Sequence, residues 1–144
     1  MRGWPSKTSP GVISPDVDAM PALANRLFRI TSALLAVAIL VQFFIAGMAA
    51  LTNPNWWMFH QAWVGVFQWL VLPLPVLAWL RGPPRLFRVA LSCVPATQME
   101  LQYVLAHRAL DGRLPIGMGL HAVNAVLLLM VVTVLFSGWP NNSN

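Results

Sequence analysis

The chain has few charged residues, very few acidic ones and a single cysteine. Only 9% of its 144 residues are charged and four are Asp or Glu, whereas 58% are hydrophobic and the mean hydropathy is +0.65. A soluble single domain of this size does not have such a composition, which therefore indicates an integral membrane protein. The lone Cys93 excludes an internal disulfide and a thiolate metal site.

The sequence also lacks the residue groups that several functional classes require. It contains no nucleophile–base pair, no phosphate-binding loop, no internal repeat and no series of charges through its apolar segments. These absences argue against an enzyme and against a transporter or channel. The basic pI of about 11.2 does not predict nucleic-acid binding either, because the cationic residues follow a membrane pattern.

Four apolar segments cover most of the chain, at about residues 27–51, 56–80, 86–110 and 115–139. Each has roughly the 20 residues that cross a ~30 Å hydrocarbon core as a helix. The short connections at 52–55, 81–85 and 111–114 require antiparallel neighbours. We predict an all-α, up-down-up-down four-helix transmembrane domain over residues 26–140, after a Pro-rich tail of residues 1–25. Pro73, Pro75 and Pro95 predict kinks in the second and third helices.

The cationic residues predict the orientation in the membrane. Most lie on one side of the predicted bundle, and only Arg108 and Arg113 lie on the other. The positive-inside rule then places both termini in the cytoplasm of a multi-pass protein of a bacterial inner membrane. The residues on the cytoplasmic side are Arg2, Lys7, Arg26, Arg29, Arg81, Arg85 and Arg88.

Two histidines lie at matched depth in the predicted bundle. His60 and His121 each lie about one and a half turns inside the outer ends of the second and fourth helices, some ~8–9 Å deep at helical rise. These helices are diagonal neighbours, so the two imidazoles suit the axial positions of one haem b iron. Gly65 and Gly117 offer room for the macrocycle. A zinc or copper site is disfavoured because no third ligand lies at that depth.

Polar residues near this pair have two interpretations. Gln42, Asn124 and Gln102 lie roughly 12–14 Å from the outer ends by helical rise, where their amides can orient the imidazoles. The alternative is that these amides bond one another across the helices. Arg108 and Arg113, with His107 as an alternative, are positioned to meet haem propionates at the outer surface.

The third helix has a polar stripe of its own, formed by Glu100, Tyr103 and His107. If Gln102 faces the core, this stripe faces outward and predicts an interface, extended by the N-terminal tail, with a larger membrane complex. The opposite rotation places Glu100 and His107 in the core. The sequence leaves both rotations open.

Three short motifs carry a resemblance to other proteins. Gln42-Phe-Phe-Ile-Ala-Gly47, Phe59-His60 followed by Gly65, and Leu120-His-Ala-Val-Asn124 resemble a family of uncharacterised small four-helix bacterial membrane proteins, over about residues 30–135. More distantly, the chain is similar to four-helix b-type membrane cytochromes that hold haem between histidines. That resemblance implies His60 and His121 as axial ligands, and one haem, because no histidine matches a second site at the inner side.

Two functions are therefore expected from the sequence. The first is a one-haem membrane cytochrome that moves single electrons near the periplasmic face, with a quinone or a periplasmic carrier as the redox partner. The second is a cofactor-free accessory subunit of a larger membrane energy-conversion complex. The two roles are compatible with each other.

Overall fold

The computed structural model describes residues 16–83 and 85–138, which form helices and their connections. The elements are α1 (Asp16–Leu51), α2 (Trp56–Phe67), a 3₁₀ helix (Gln68–Val71), α3 (Pro73–Leu80), α4 (Arg85–Leu110) and α5 (Gly117–Ser137). Taken together, α2, the 3₁₀ helix and α3 are one interrupted helix, so the described residues form four helices. The predicted all-helical fold is confirmed.

The first and last helices do not begin at the residues that the sequence predicts. α1 begins at Asp16 and so extends into the predicted tail, of which residues 1–15 lie outside the described residues. α5 begins at Gly117 because Pro115 and Ile116 form a turn, which the Gly117 amide closes by donating to the Leu114 carbonyl at 2.8 Å. α5 ends at Ser137. The predicted end at residue 139 lies outside the described residues.

Proline explains the interruption of the second helix. Pro73 has no backbone N–H, so the carbonyl of Trp69 lacks its usual donor four residues later. The amide of Leu72 donates to that carbonyl instead, at 3.3 Å, which is the tighter 3₁₀ pattern. Pro95 has no such effect, since α4 continues through it without interruption.

Neighbouring helices run in opposite directions where they contact one another: a later residue of one helix contacts an earlier residue of the next. The amide of Gln42 reaches the backbone of His60, while earlier in α1 the carbonyl of Ala38 accepts from Trp63, which lies later in α2. α4 and α5 show the same reversal. α5 also packs against α1, and α3 packs against α4. Each of these contacts joins residues at similar heights along two helices. His60 and His121 therefore lie at the same end of the structure.

The largest cluster of buried apolar side chains lies toward the other end. α1 supplies Phe28 and Leu35, α3 supplies Leu74, and α5 supplies Val132, all at 2% exposure or less. We call this the arginine end, after Arg29, Arg81 and Arg88, and the opposite end the histidine end, after His60 and His121. The other members of the cluster are Ala38, Ile39, Phe67, Val71, Ala78, Met99, Leu128 and Leu135.

Three helical segments are long and apolar enough to cross a membrane: Ala19–Leu51, Trp56–Leu80 and Gly117–Ser137. Their outer faces expose many large apolar side chains, which suits contact with lipid. α4 is not among the three, because Gln98, Glu100 and Gln102 interrupt its apolar sequence. The predicted crossing of the membrane by α4 stays a prediction.

Candidate functional site

His60 and His121 face each other between helices that do not pack together. No Cα atom of α2 lies within 8 Å of one of α5, although both helices are fully described. The two imidazole rings nevertheless approach to 6.5 Å between their centroids, with 47° between their planes. The structure thus brings together the two histidines that the sequence singled out.

A close contact between α4 and α5 positions His121. A Cβ added to Gly117 would lie 2.8 Å from the carbonyl oxygen of Leu105, so only glycine allows the start of α5 to approach α4 this closely. One turn later on the same face, Nδ1 of His121 lies 3.1 Å from the carbonyl oxygen of Gln102. With Nδ1–H donating to that carbonyl, Nε2 keeps its lone pair for a ligand bond.

His60 is held differently. Its backbone carbonyl accepts a hydrogen bond from Nε2 of Gln42 at 3.1 Å, and its ring meets the edge of Trp57 at 5.2 Å between centroids. Its Nδ1 is buried and has no hydrogen-bond partner among the described residues. The backbone of His60 is therefore fixed to α1, while its imidazole keeps unused hydrogen-bonding capacity.

Three further buried polar atoms without partners lie between the middle of the helices and the histidine end. They are the side-chain oxygens of Gln42, Gln98 and Gln102, each without a hydrogen bond within the described part of the chain. Leaving such an atom unsatisfied costs about 1–3 kcal/mol, so native structures usually provide it with water, an ion or a ligand. Together with His60 Nδ1, these oxygens mark the region as suited to a polar or metal-bearing ligand.

The small residues predicted to make room differ in their surroundings. A Cβ added to Gly65 would meet no atom within 4 Å, whereas Gly117 is closed in by α4. Gly47, at the histidine end of α1, is also open. Space for a ligand therefore exists beside Gly65, and the small size of Gly117 serves the packing of α5 on α4.

α2 and α4 are separated at the histidine end. No described Cα atom of α2 lies within 8 Å of α4, and the two come together only beyond the break, at the 3₁₀ helix and α3. There the hydroxyl of Tyr103 donates to Oε1 of Gln68 at 2.8 Å. A shallow open groove of about 360 Å³ lies beside this bond, lined partly by Trp69 and Glu100.

The spacing of the two histidines fits axial ligation of one metal ion. A metal–nitrogen bond of about 2.0–2.1 Å, plus about 1.1–1.2 Å from that nitrogen to the ring centre, separates two opposed imidazole centres by about 6.3 Å. The observed separation is 6.5 Å. No group of three or more His, Cys, Asp or Glu side chains that could hold a metal occurs within residues 16–83 and 85–138. Only a cofactor that brings its own metal ligands, such as a haem, would need no more protein ligands than this pair.

The amides of Gln42 and Asn124 contact backbone carbonyls and not the imidazole rings. Asn124 Nδ2 donates to the carbonyl of Gln98 at 2.9 Å, which ties α5 to α4 one turn below His121. The structure shows neither of the two patterns expected for these amides, since the acceptor is a backbone carbonyl in both cases. Arg108 and Arg113 are exposed near the connection between α4 and α5.

The rotation of α4 is resolved. Gln102 is 7% exposed and faces the other helices, whereas Glu100 and His107 are exposed. His107 Nδ1 lies 2.8 Å from the carbonyl of Tyr103 in its own helix. Glu100 and His107 therefore lie away from the core, whereas Tyr103 of the same stripe packs partly against it.

Sequence reasoning missed Gln68 and Trp63. Gln68 bonds Tyr103 of α4, and Nε1 of Trp63 donates to the carbonyl of Ala38 in α1 at 2.9 Å. A glutamine within an apolar segment is a signal that could have identified Gln68. Trp63 gave no comparable signal, because tryptophan is common in membrane helices.

Residues 42–110, just under half of the chain, match the profile of a family of unknown function, DUF6220. The matched stretch contains Gln42, Gly65 and His60 but ends before His121. Neither a curated protein nor a solved structure matches the chain. The expected similarity to a family without an assigned function is thus supported over this stretch, and similarity to cytochromes is not.

Proposed function

We propose that the protein is a multi-pass protein of a bacterial cytoplasmic membrane, in which four helices of alternating direction form a bundle with both termini in the cytoplasm. Three apolar helices and their exposed apolar faces support insertion into lipid. The position of Arg29, Arg81 and Arg88 at one end supports the orientation. In this arrangement α4 crosses with its buried polar residues turned toward α5.

We propose further that the histidine end binds one haem b and that the protein transfers single electrons near the periplasmic face. The observation that carries this proposal is the opposed pair of His60 and His121, at the separation expected for two axial ligands. A bound haem would supply the one-electron chemistry. A membrane quinone or a periplasmic carrier would be the redox partner.

The residues around the pair have distinct tasks in this proposal. The carbonyl of Gln102 fixes the ring of His121 and leaves the other ring nitrogen free for a ligand. Gln42 holds the backbone of His60 against α1. Gly65 borders open space on α2, while Arg108 in α4 and Arg113 in the connection after it would meet the propionates.

The absorbance spectrum of the purified protein tests this function. After expression with sufficient haem supply and reduction with dithionite, we expect split alpha and Soret bands. His60→Ala and His121→Ala should each abolish the bands because each removes one axial ligand. His107→Ala is the matched control and should retain them, since His107 is exposed and bonds only within α4. A haem-free wild-type protein would exclude the proposal.

A second candidate function rests on Glu100. This carboxylate is exposed on the outward face of α4, beside the Tyr103–Gln68 bond, and forms no ion pair within the described residues. A carboxylate at this depth in lipid is costly without a partner. We propose that the stripe of Glu100, Tyr103 and His107 docks on a larger membrane complex, with this chain as an accessory subunit.

The size of the assembly in native membranes tests the second function. Extraction in mild detergent should give a complex much larger than the 15.9 kDa chain. Glu100→Leu should release the chain, whereas a change on another exposed face, Met130→Leu, should not. Haem bands in a protein that migrates alone support the first function only. A haem-free chain in a large complex supports the second only.

A further inference from the structure

Three arginines from different parts of the fold lie at the arginine end. Arg29 lies in α1, Arg81 directly follows α3, and Arg88 lies in the first turn of α4. Cζ of Arg81 lies 4.6 Å from the ring centroid of Phe28, a side chain that is only 2% exposed. This contact turns Arg81 back over the buried core, while Cζ of Arg29 lies 5.5 Å from the ring centroid of Phe136 in α5.

The three charges act on one another. Partial burial lowers the pKa of Arg81, and the charges of Arg88 and Arg29 lower this pKa further. All three arginines lie at the same end of the helices, where like charges repel one another. The half-buried position of Arg81 also means that water screens its charge less than it screens a fully exposed arginine.

Among residues 19–83 and 85–138, the two carboxylates lie away from these arginines. Glu100 lies beyond the middle of α4, and Asp111 lies in the connection after that helix. The cluster is thus a concentration of positive charge that an anion would stabilise.

The surroundings indicate which anion fits. Guanidinium groups bind phosphate oxygens with paired, charge-assisted hydrogen bonds. Exposed apolar side chains flank the cluster, including Leu80 at the end of α3 and Leu86 at the start of α4. Trp79, which stacks with Arg85 at 5.2 Å, has the character of a residue at a membrane–water boundary. A ligand with a phosphate and acyl chains satisfies both parts of this surface.

We propose that Arg29, Arg81 and Arg88 bind the phosphate group of an anionic phospholipid at the arginine end of the helices. Basic pockets between transmembrane helices are suited to such headgroups. The site lies at the opposite end from His60 and His121. It therefore stands independently of the haem proposal, and neither result decides the other.

Native mass spectrometry of the full chain, released from detergent, tests the site. Phosphatidylglycerol, phosphatidylcholine or inorganic phosphate would be added at equal phosphate concentration. We expect one retained phosphatidylglycerol in the wild type and little phosphatidylcholine. Arg81→Gln and Arg88→Gln should each weaken phosphatidylglycerol binding about fivefold, which corresponds to about 1 kcal/mol for each basic residue near an anionic membrane surface.

Arg26→Gln is the matched control, because Arg26 is exposed on α1 and is not among the charges that act on Arg81. Equal phosphatidylglycerol binding by Arg26→Gln, Arg88→Gln and the wild type would overturn the proposal, as would equal retention of phosphatidylcholine. If Arg81→Gln does not fold, Arg88→Gln decides. Retention of inorganic phosphate in place of the lipid would contradict a lipid source and assign the site to free phosphate.

Discussion

The arginine end and the histidine end of the same four helices are built differently. At the arginine end Phe28, Leu74 and Val132 are almost completely buried against one another. At the histidine end, by contrast, α2 stands away from α4, and the buried polar atoms without partners lie between there and the middle of the helices. Apolar packing of this quality favours one stable arrangement, whereas unsatisfied polar groups persist where a function requires them.

The two ends also differ in the charge of their polar side chains. The arginine end carries permanent cations, of which Arg29, Arg81 and Arg85 lie over aromatic rings. Between the middle of the helices and the histidine end lie polar atoms without a hydrogen-bond partner in the described chain, in His60, Gln98 and Gln102. The former surface suits an anion from the membrane boundary, and the latter suits a metal or hydrogen-bonding ligand inside the helices. The comparison predicts that core mutations act mainly on stability and that histidine-end mutations act mainly on binding.

The largest expected stability effect is at the arginine end. Leu74→Ala removes a fully buried side chain from the main cluster, and we expect a loss of about 2–5 kcal/mol in the free energy of unfolding. Thermal unfolding in detergent, followed by circular dichroism, measures it. Leu72→Ala is the control, because Leu72 is 58% exposed two residues away. Equal losses in the two variants would contradict the assigned core.

A pair of glycine substitutions comes next and compares two sites at the histidine end. Gly117→Ala forces a methyl group against the Leu105 carbonyl, at a cost of about 1–3 kcal/mol, and should displace His121. Gly65→Ala meets open space and should be neutral or stabilising by up to about 1 kcal/mol, since alanine favours helix. Equilibrium unfolding in detergent measures both effects. The reverse order of stabilities would show that α5 does not approach α4 as described.

Two amide substitutions should have effects of opposite sign. Asn124→Ala removes the hydrogen bond to the Gln98 carbonyl and should destabilise the protein by about 0.6–1.7 kcal/mol. Gln102→Met removes a buried side-chain oxygen that has no partner within the described chain, so the haem-free protein should keep or gain stability. The hydrogen bond between His121 and the backbone carbonyl of residue 102 remains in this variant. A marked loss of stability in Gln102→Met would show that its side chain has an essential partner in the haem-free protein.

Much of this arrangement could be predicted from the sequence. Counting residues at helical rise placed His60 and His121 at one depth, and short connections made their helices diagonal. The rotation of α4 could not be predicted, because the stripe of Glu100 and the face of Gln102 are both polar. Only the packing of α4 against α5, in which the Gln102 carbonyl contacts His121, distinguishes the two rotations.

The remaining differences also have physical reasons. The start of α1 at Asp16 was missed because closely spaced prolines are typical of a tail, although Pro21 lies within the helix. The role of Gly117 was ambiguous, since small residues serve both helix packing and ligand space in membrane proteins. Proline near the middle of the second segment did predict a disturbance at the 3₁₀ helix, but Pro95 shows that the same residue type can remain inside an uninterrupted helix.

The smallest expected effect concerns charge at the arginine end. A pKa lowered by burial and by Arg88 and Arg29 means that the charged form of Arg81 is less favourable in the folded protein than in the unfolded chain. Arginine stays protonated at ordinary pH, so this cost in folding free energy does not change between about pH 5 and 9. Salt, however, screens the part of the cost that comes from repulsion between the arginines. In zwitterionic detergent, Arg29→Gln should therefore stabilise the protein by a few tenths of a kcal/mol at low salt, and the gain should fade by about 1 M salt. Melting temperatures over a salt series measure the effect. A gain of the same size at every salt concentration would trace it to packing and not to charge.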